Sequence, residues 1–206
     1  MSMVRLDLTE RVAWITLDRP PLNVLNIEML TELESVLTEV RQNREASVAV
    51  LSGAGEKAFS AGVDVAEHKP ETLEQMLKAF HNVARKLVRL PQATVAAVDG
   101  VALGGALELV NVCDIPVASV RSRFGYPEIQ LATFPPVAIV TLSTICGRTA
   151  ACDLVLTGEM VSSADALRAG LVSRVFADNE YEGSLRELVA GLSAKSPAVL
   201  RLTAQT

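Results

Sequence analysis

The sequence predicts an α/β fold on three observations: short apolar runs of strand length, longer stretches with apolar residues at helical spacing, and glycine-bearing turns joining the two in alternation. Val4 to Leu17 reads as two strands around the turn-prone Thr9-Glu10-Arg11, and Pro20 and Pro21 stop the pairing, so a hairpin opens the chain. Asn26 is placed as the N-cap of a helix with Ile27, Leu30, Leu33, Leu37 and Val40 along one stripe. Ser47 to Ser52, Thr94 to Val98 and Ile115 to Ala118 are almost uniformly apolar, like parallel strands covered on both faces. Between them lie a long helix over Thr72 to Leu90, ended by Pro91, and a glycine turn over Gly100 to Gly105 that opens a helix over Ala106 to Val112. Helices over Thr149 to Leu156 and Ser163 to Ala169, a strand over Leu171 to Phe176 and a helix over Tyr181 to Ala194 complete the order. No linker divides the chain, so residues 1–206 read as one domain.

Half of the 206 residues are apolar and 21% are charged, which predicts a sizeable core and a surface apolar enough to favour self-association. A net charge of -5 with both signs interspersed offers no basic field, so nucleic acid is not an expected partner. Cys113, Cys146 and Cys152 form no CxxC pair, and two histidines build no zinc spacing, so no metal is expected and the thiols fit a reducing cytoplasm. The N-terminus reads as a strand rather than a signal peptide. The apolar stretch Val95 to Val112 is interrupted by Asp99, Glu108 and glycines, so no membrane association is expected.

Three stretches carry residues suited to chemistry. Lys57 to Asp64 (KAFSAGVD) is a chain of small residues after a buried strand, where backbone N–H groups stay accessible to a ligand oxygen. The stretch from Asp99 to Glu108 brings paired glycines to a helix start, where free N–H groups and the helix dipole favour negative charge. Glu108 lies one turn further on in an otherwise apolar segment, and a buried carboxylate usually has a partner or a task. Phe124 to Ile129 (FGYPEI) sets a second acid, Glu128, behind Pro127. Each stretch alone also admits a plainer reading: a connecting loop, glycines for close helix packing, and a solvated glutamate.

Together the three stretches resemble the crotonase (enoyl-CoA hydratase/isomerase) family, and the resemblance runs in order through nearly the whole chain. AFSAGVD is similar to the family's first oxyanion loop, which assigns one N–H donor to Val63; GVALGGALEL is similar to the second, which assigns the other to Gly105 and the first catalytic glutamate to Glu108. FGYPEI resembles the segment of the second catalytic glutamate, Glu128. DRPPLNVLN resembles the CoA-contacting turn, and TGEMVSSADALRAGLVSRV the downstream helix-turn-strand segment. The resemblance implies a ββα spiral core over residues 1–195, with 196–206 beginning a C-terminal helical region whose remaining helices are largely absent from this chain. It implies an acyl-CoA thioester substrate held near Leu22, Val24, Lys57, Ala61, Val63, Asp64, Val65, Gly104, Gly105, Pro127 and Pro136, although Lys57 equally reads as a surface lysine. It further implies no cofactor besides the coenzyme A of the substrate, and a homotrimer or dimer of trimers.

The chain departs from the family after Glu128, where Thr133-Phe134-Pro135-Pro136-Val137-Ala138 replaces a glycine-bearing run. Pro136 removes an N–H beside the expected water. With PLNVLNIEML and GVDVAEHKPE, the Pro-Pro variant resembles the cyclohexa-1,5-diene-1-carbonyl-CoA hydratases of anaerobic aromatic degradation. Isomerase and thioester hydrolase chemistry, and a non-catalytic CoA-binding assembly subunit, remain alternatives because the same oxyanion hole supports them. A serine hydrolase finds no GxSxG elbow, no partner for Ser60, and in His68 and His81 only surface and helix residues.

Overall fold

The structure, a computed structural model, describes residues 2–204. Residues 205 and 206, the end of the predicted C-terminal helical region, lie outside the described residues. Strands β1 (Val4–Thr9) and β2 (Val12–Leu17) pair antiparallel as the expected hairpin. Helix α1 (Ile27–Gln42) starts at Asn26, whose side chain accepts the Met29 N–H, and buries Met29, Leu30, Leu33, Leu37 and Val40.

From there the chain repeats one unit: a strand in a large sheet, a short strand in a second sheet, and a helix. The units are β3 (Val48–Gly53), β4 (Ala58–Ser60) and α2 (Leu73–Val88), then β5 (Ala93–Val98), β6 (Val101–Leu103) and α3 (Gly105–Asn111). The third runs β7 (Ile115–Ser119), β8 (Arg123–Gly125), a 3-10 turn over Pro127–Leu131, and α4 (Ala138–Thr157). A two-residue strand β9 (Val161–Ser162), α5 (Ser163–Ala169), β10 (Arg174–Phe176), α6 (Tyr181–Ser193) and α7 (Pro197–Thr203) follow. The large sheet has the order β1-β2-β3-β5-β7-β10 and is parallel beyond β2; the small one is β4-β6-β8-β9, with β9 antiparallel. This is the ββα spiral that the resemblance implied.

The central strands β3 and β5 are buried on both faces, which accounts for their largely unbroken apolar sequence. One face meets the main core with α1 and α2; Val12, Val48, Val50, Val95 and Val117 on the other pack against Tyr181, Leu185 and Val189 of α6. The structure corrects the sequence reading at three places. The stretches around Ala58, Val101 and Arg123, read as loops or turns, contain the three-residue strands β4, β6 and β8, too short to show alternation. The strand expected from Leu171 starts only at Arg174, because Leu171 N–H donates to Ala166 O and Ser173 N–H to Pro116 O. The helix expected from Thr149 reaches back to Ala138, across a break at Gly147 (φ 77°, ψ 156°). By length and composition alone α4 is long and apolar enough to cross a membrane, a test that helices of soluble proteins also pass, and much of it is exposed.

The sheets cross where β3 turns into β4. A Cβ on Gly53 would stand 2.4 Å from Phe59 O, whereas one on Gly183, in α6, meets open space. Gly53→Ala is expected to lose about 1–3 kcal/mol in urea denaturation, and Gly183→Ala to gain about 0.4–1 kcal/mol through reduced chain entropy.

Candidate active site

The turn between β2 and α1 is anchored by Asn23, which is 1% exposed. Its Nδ2 donates to Ala54 O and Ala58 O, both at 2.9 Å, and to Phe59 O at 3.2 Å, while its Oδ1 accepts the Arg19 N–H. Asn23 therefore clamps the turn bearing Leu22 and Val24 to β4. The clamp continues outward: Ala61 N–H donates to Leu22 O, and Arg19 joins Val24 O to the Asp64 carboxylate. Sequence reading passed over Asn23 and Arg19. An asparagine two residues after a proline pair was the available signal, and the structure places it at a φ of 51°.

Leu25 and Val63 form a parallel bridge in which Gly62 O accepts from Leu25 N–H and Asp64 N–H donates to Leu25 O. The bridge uses the groups on either side of the Val63 N–H and leaves that N–H without a partner among the described residues. The Gly105 N–H, at the first position of α3, is likewise unpartnered. Glycines bring the two together. Gly62 (φ 96°) lies against β6, where a Cβ would stand 2.8 Å from Leu103 O and 3.7 Å from the Gly105 nitrogen. A Cβ on Gly105 would stand 2.7 Å from Val63 Cγ2.

Glu108, one turn along α3, is 2% exposed. Its Oε1 accepts N–H bonds from Val137 at 2.6 Å and Ala138 at 2.7 Å, at the start of α4. Pro136 thus lacks its own N–H but stands directly before the two N–H groups that hold the acid, a role for this segment that sequence reading missed. Glu128 follows Pro127 in the 3-10 turn, with Oε1 over Gly104, where a Cβ would come within 2.6 Å. Gly104 N–H donates to Gly125 O, and its φ of 53° suits glycine. Glu128 Oε2 is buried without a hydrogen-bond partner among the described residues. Burial pushes the Glu108 carboxyl up to about 7 against the pull of its two N–H bonds, and the neighbouring Glu128 adds to the rise. Burial raises Glu128 as well.

The structure therefore brings together Leu22, Val24, Ala61, Val63, Asp64, Gly104, Gly105, Glu108, Pro127, Glu128 and Pro136 through contacts or adjacent backbone. Val65 follows at the rim, 59% exposed. Lys57 stands at the opposite end of β4 from Ala61, exposed, with its ammonium unpaired among the described residues. No group of three His, Cys, Asp or Glu side chains suited to a metal occurs among the described residues.

Two unpartnered N–H groups beside a buried and a half-buried carboxyl group suit stabilisation of an oxyanion together with proton transfer. Residues 7–206 match the family model described as enoyl-CoA hydratase/isomerase. The chain belongs to that family. It is 35% identical over 210 residues to the short-chain-enoyl-CoA hydratase of Clostridium acetobutylicum, covering 100% of this chain and 80% of that one. It is 32% identical over 207 residues to the (E)-benzylidenesuccinyl-CoA hydratase of Thauera aromatica, covering 98% and 80%. A crystal structure of enoyl-CoA hydratase from Bacillus anthracis superposes with a TM-score of 0.95 at 31% identity, over 98% of this chain and 81% of that one.

The raised Glu108 carboxyl links stability to pH. Between 4.5 and about 7 the folded chain holds a proton that the unfolded chain has released. This group's contribution is therefore complete below the unfolded pKa and is lost as pH rises through the folded one, roughly 3 kcal/mol in all. Glu108→Gln is expected to lose less stability than the wild type between pH 5 and pH 8 in urea denaturation.

Proposed function

We propose that the protein is a carbon–oxygen lyase of the enoyl-CoA hydratase type, adding water across the conjugated double bond of an acyl-CoA thioester. The observation that carries this reading is the pairing of the free Val63 and Gly105 N–H groups next to Glu108 and Glu128. In this reading the thioester oxygen sits between the two N–H groups, which hold its charge as the enolate forms; loss of one donor would cost roughly 3 kcal/mol of transition-state stabilisation. One carboxylate takes a proton from water as the hydroxyl oxygen bonds to the β-carbon, and the other acid delivers a proton to the α-carbon. The acids then exchange protons to begin another turn.

The coenzyme A portion lies along the clamped turn, against Leu22, Val24, Ala61, Asp64 and Val65, with Lys57 further along β4; Gly104, Pro127 and Pro136 border the acyl end. No separate cofactor enters. A cyclic dienoyl substrate, cyclohexa-1,5-diene-1-carbonyl-CoA, is the second reading, favoured by Pro136 at the N–H pair holding Glu108. Assembly as a trimer or dimer of trimers is supported by the exposed Ile129, Leu131, Phe134, Ile139, Val140 and Leu156. A cytoplasmic setting is supported by the three free thiols.

Incubation with crotonyl-CoA and with cyclohexa-1,5-diene-1-carbonyl-CoA, followed by the absorbance of the conjugated thioester, tests these readings. Hydration of one of them is expected, falling about 10²–10⁴-fold in Glu128→Gln. Release of free thiol would instead identify a hydrolase, and binding without turnover an assembly subunit.

A further inference from the structure

Gly105, Glu108 and Asn111 recur every third residue along α3 and share one side of the helix. Asn111 is its last residue. Its Nδ2 lies 2.6 Å from the hydroxyl oxygen of Tyr126, which is fully buried and immediately precedes Pro127 and Glu128. A half-turn of the amide would place Oδ1 there instead, and 2.6 Å is a usual length for O–H···O but short for N–H···O. Tyr126 then donates. Asn111 Oδ1 is buried without a hydrogen-bond partner among the described residues.

A tyrosine and an asparagine with an unmet polar end are poor core fillers beside Leu or Phe, because the unpaired group keeps its desolvation cost. What the pair does achieve is a connection. It joins the helix bearing Gly105 and Glu108 to the turn bearing Glu128, whose buried Oε2 has no hydrogen-bond partner among the described residues. The ionisable groups whose fields reach the Tyr126 hydroxyl are Glu108 on α3, Glu128 in the 3-10 turn and Cys146 on α4.

We propose that Asn111 and Tyr126 are positioning residues that tie the Glu128 turn to α3 and so set the gap between the two carboxyl groups in which water is held. This rests on the hydratase reading for its catalytic consequence, but not for the geometry. Release of the tie admits solvent, which lowers both raised carboxyls, and moves Glu128 away from Glu108, which lowers Glu108 further.

The test uses Tyr126→Phe, which keeps the ring, Asn111→Leu, which keeps the volume, and the double variant. Carboxyl titration of the free protein, labelled with 13C at glutamate, is expected to show the Glu108 and Glu128 signals titrating at lower pH in each variant. With whichever thioester the wild type hydrates, kcat is expected to fall about tenfold to a hundredfold at nearly constant KM. The double variant should lose no more than either single one, because one interaction has been removed. Unchanged titration, or additive losses accompanied only by a lower melting temperature, would overturn the proposal. If no thioester is hydrated the function assigned above fails, while the titration still decides whether the tie sets the acid pair.

Discussion

Neighbouring atoms approach the backbone at Gly62, Gly104 and Gly105 more closely than a side chain would permit, and the site depends on that approach. A methyl group at any of the three would press on Leu103 O, on the Glu128 carboxylate or on Val63. The spiral topology makes the approach possible, because β4, β6 and β8 lie side by side and their ends converge. The result is two N–H donors that neither helix nor bridge uses. Donors fixed by the fold before a substrate arrives need no reorganisation when charge develops on an oxygen between them.

The acid pair is built on a different principle. Glu108 is held by two N–H groups at the start of α4, an arrangement that favours its charged form, yet burial outweighs them and the carboxyl titrates near neutrality. Glu128 is raised by burial as well. Two close carboxyl groups that resist ionisation share protons readily, as a reaction that removes one proton and supplies another requires. Pro136 leaves the N–H groups of Val137 and Ala138 as the ones that grip Glu108.

Much of this was legible in the sequence, for physical reasons. The α1 stripe, the uniformly apolar runs of β3 and β5 and the glycine turn before Glu108 each reflect a local rule that tertiary contacts reinforce. The family resemblance supplied what local rules do not, the pairing of Val63 with Gly105. The second sheet was hidden because three-residue strands carry no period and are defined by neighbours more than 20 residues away in sequence. Asn23, Tyr126 and Asn111 were missed because a buried polar residue is recognisable only when its partners are known. Lys57 illustrates the converse: a motif position whose side chain the fold leaves unpaired.

The central claim is that the Val63 and Gly105 N–H groups jointly bind the thioester oxygen. The infrared carbonyl stretch of a 13C=O-labelled acyl-CoA bound to the protein measures this directly. Polarisation by two donors predicts a stretch at lower frequency than in water, with the shift lost in Gly105→Ala, where the new methyl group forces Val63 away. A bound carbonyl that vibrates as it does in water, or keeps its shift in that variant, would contradict the account.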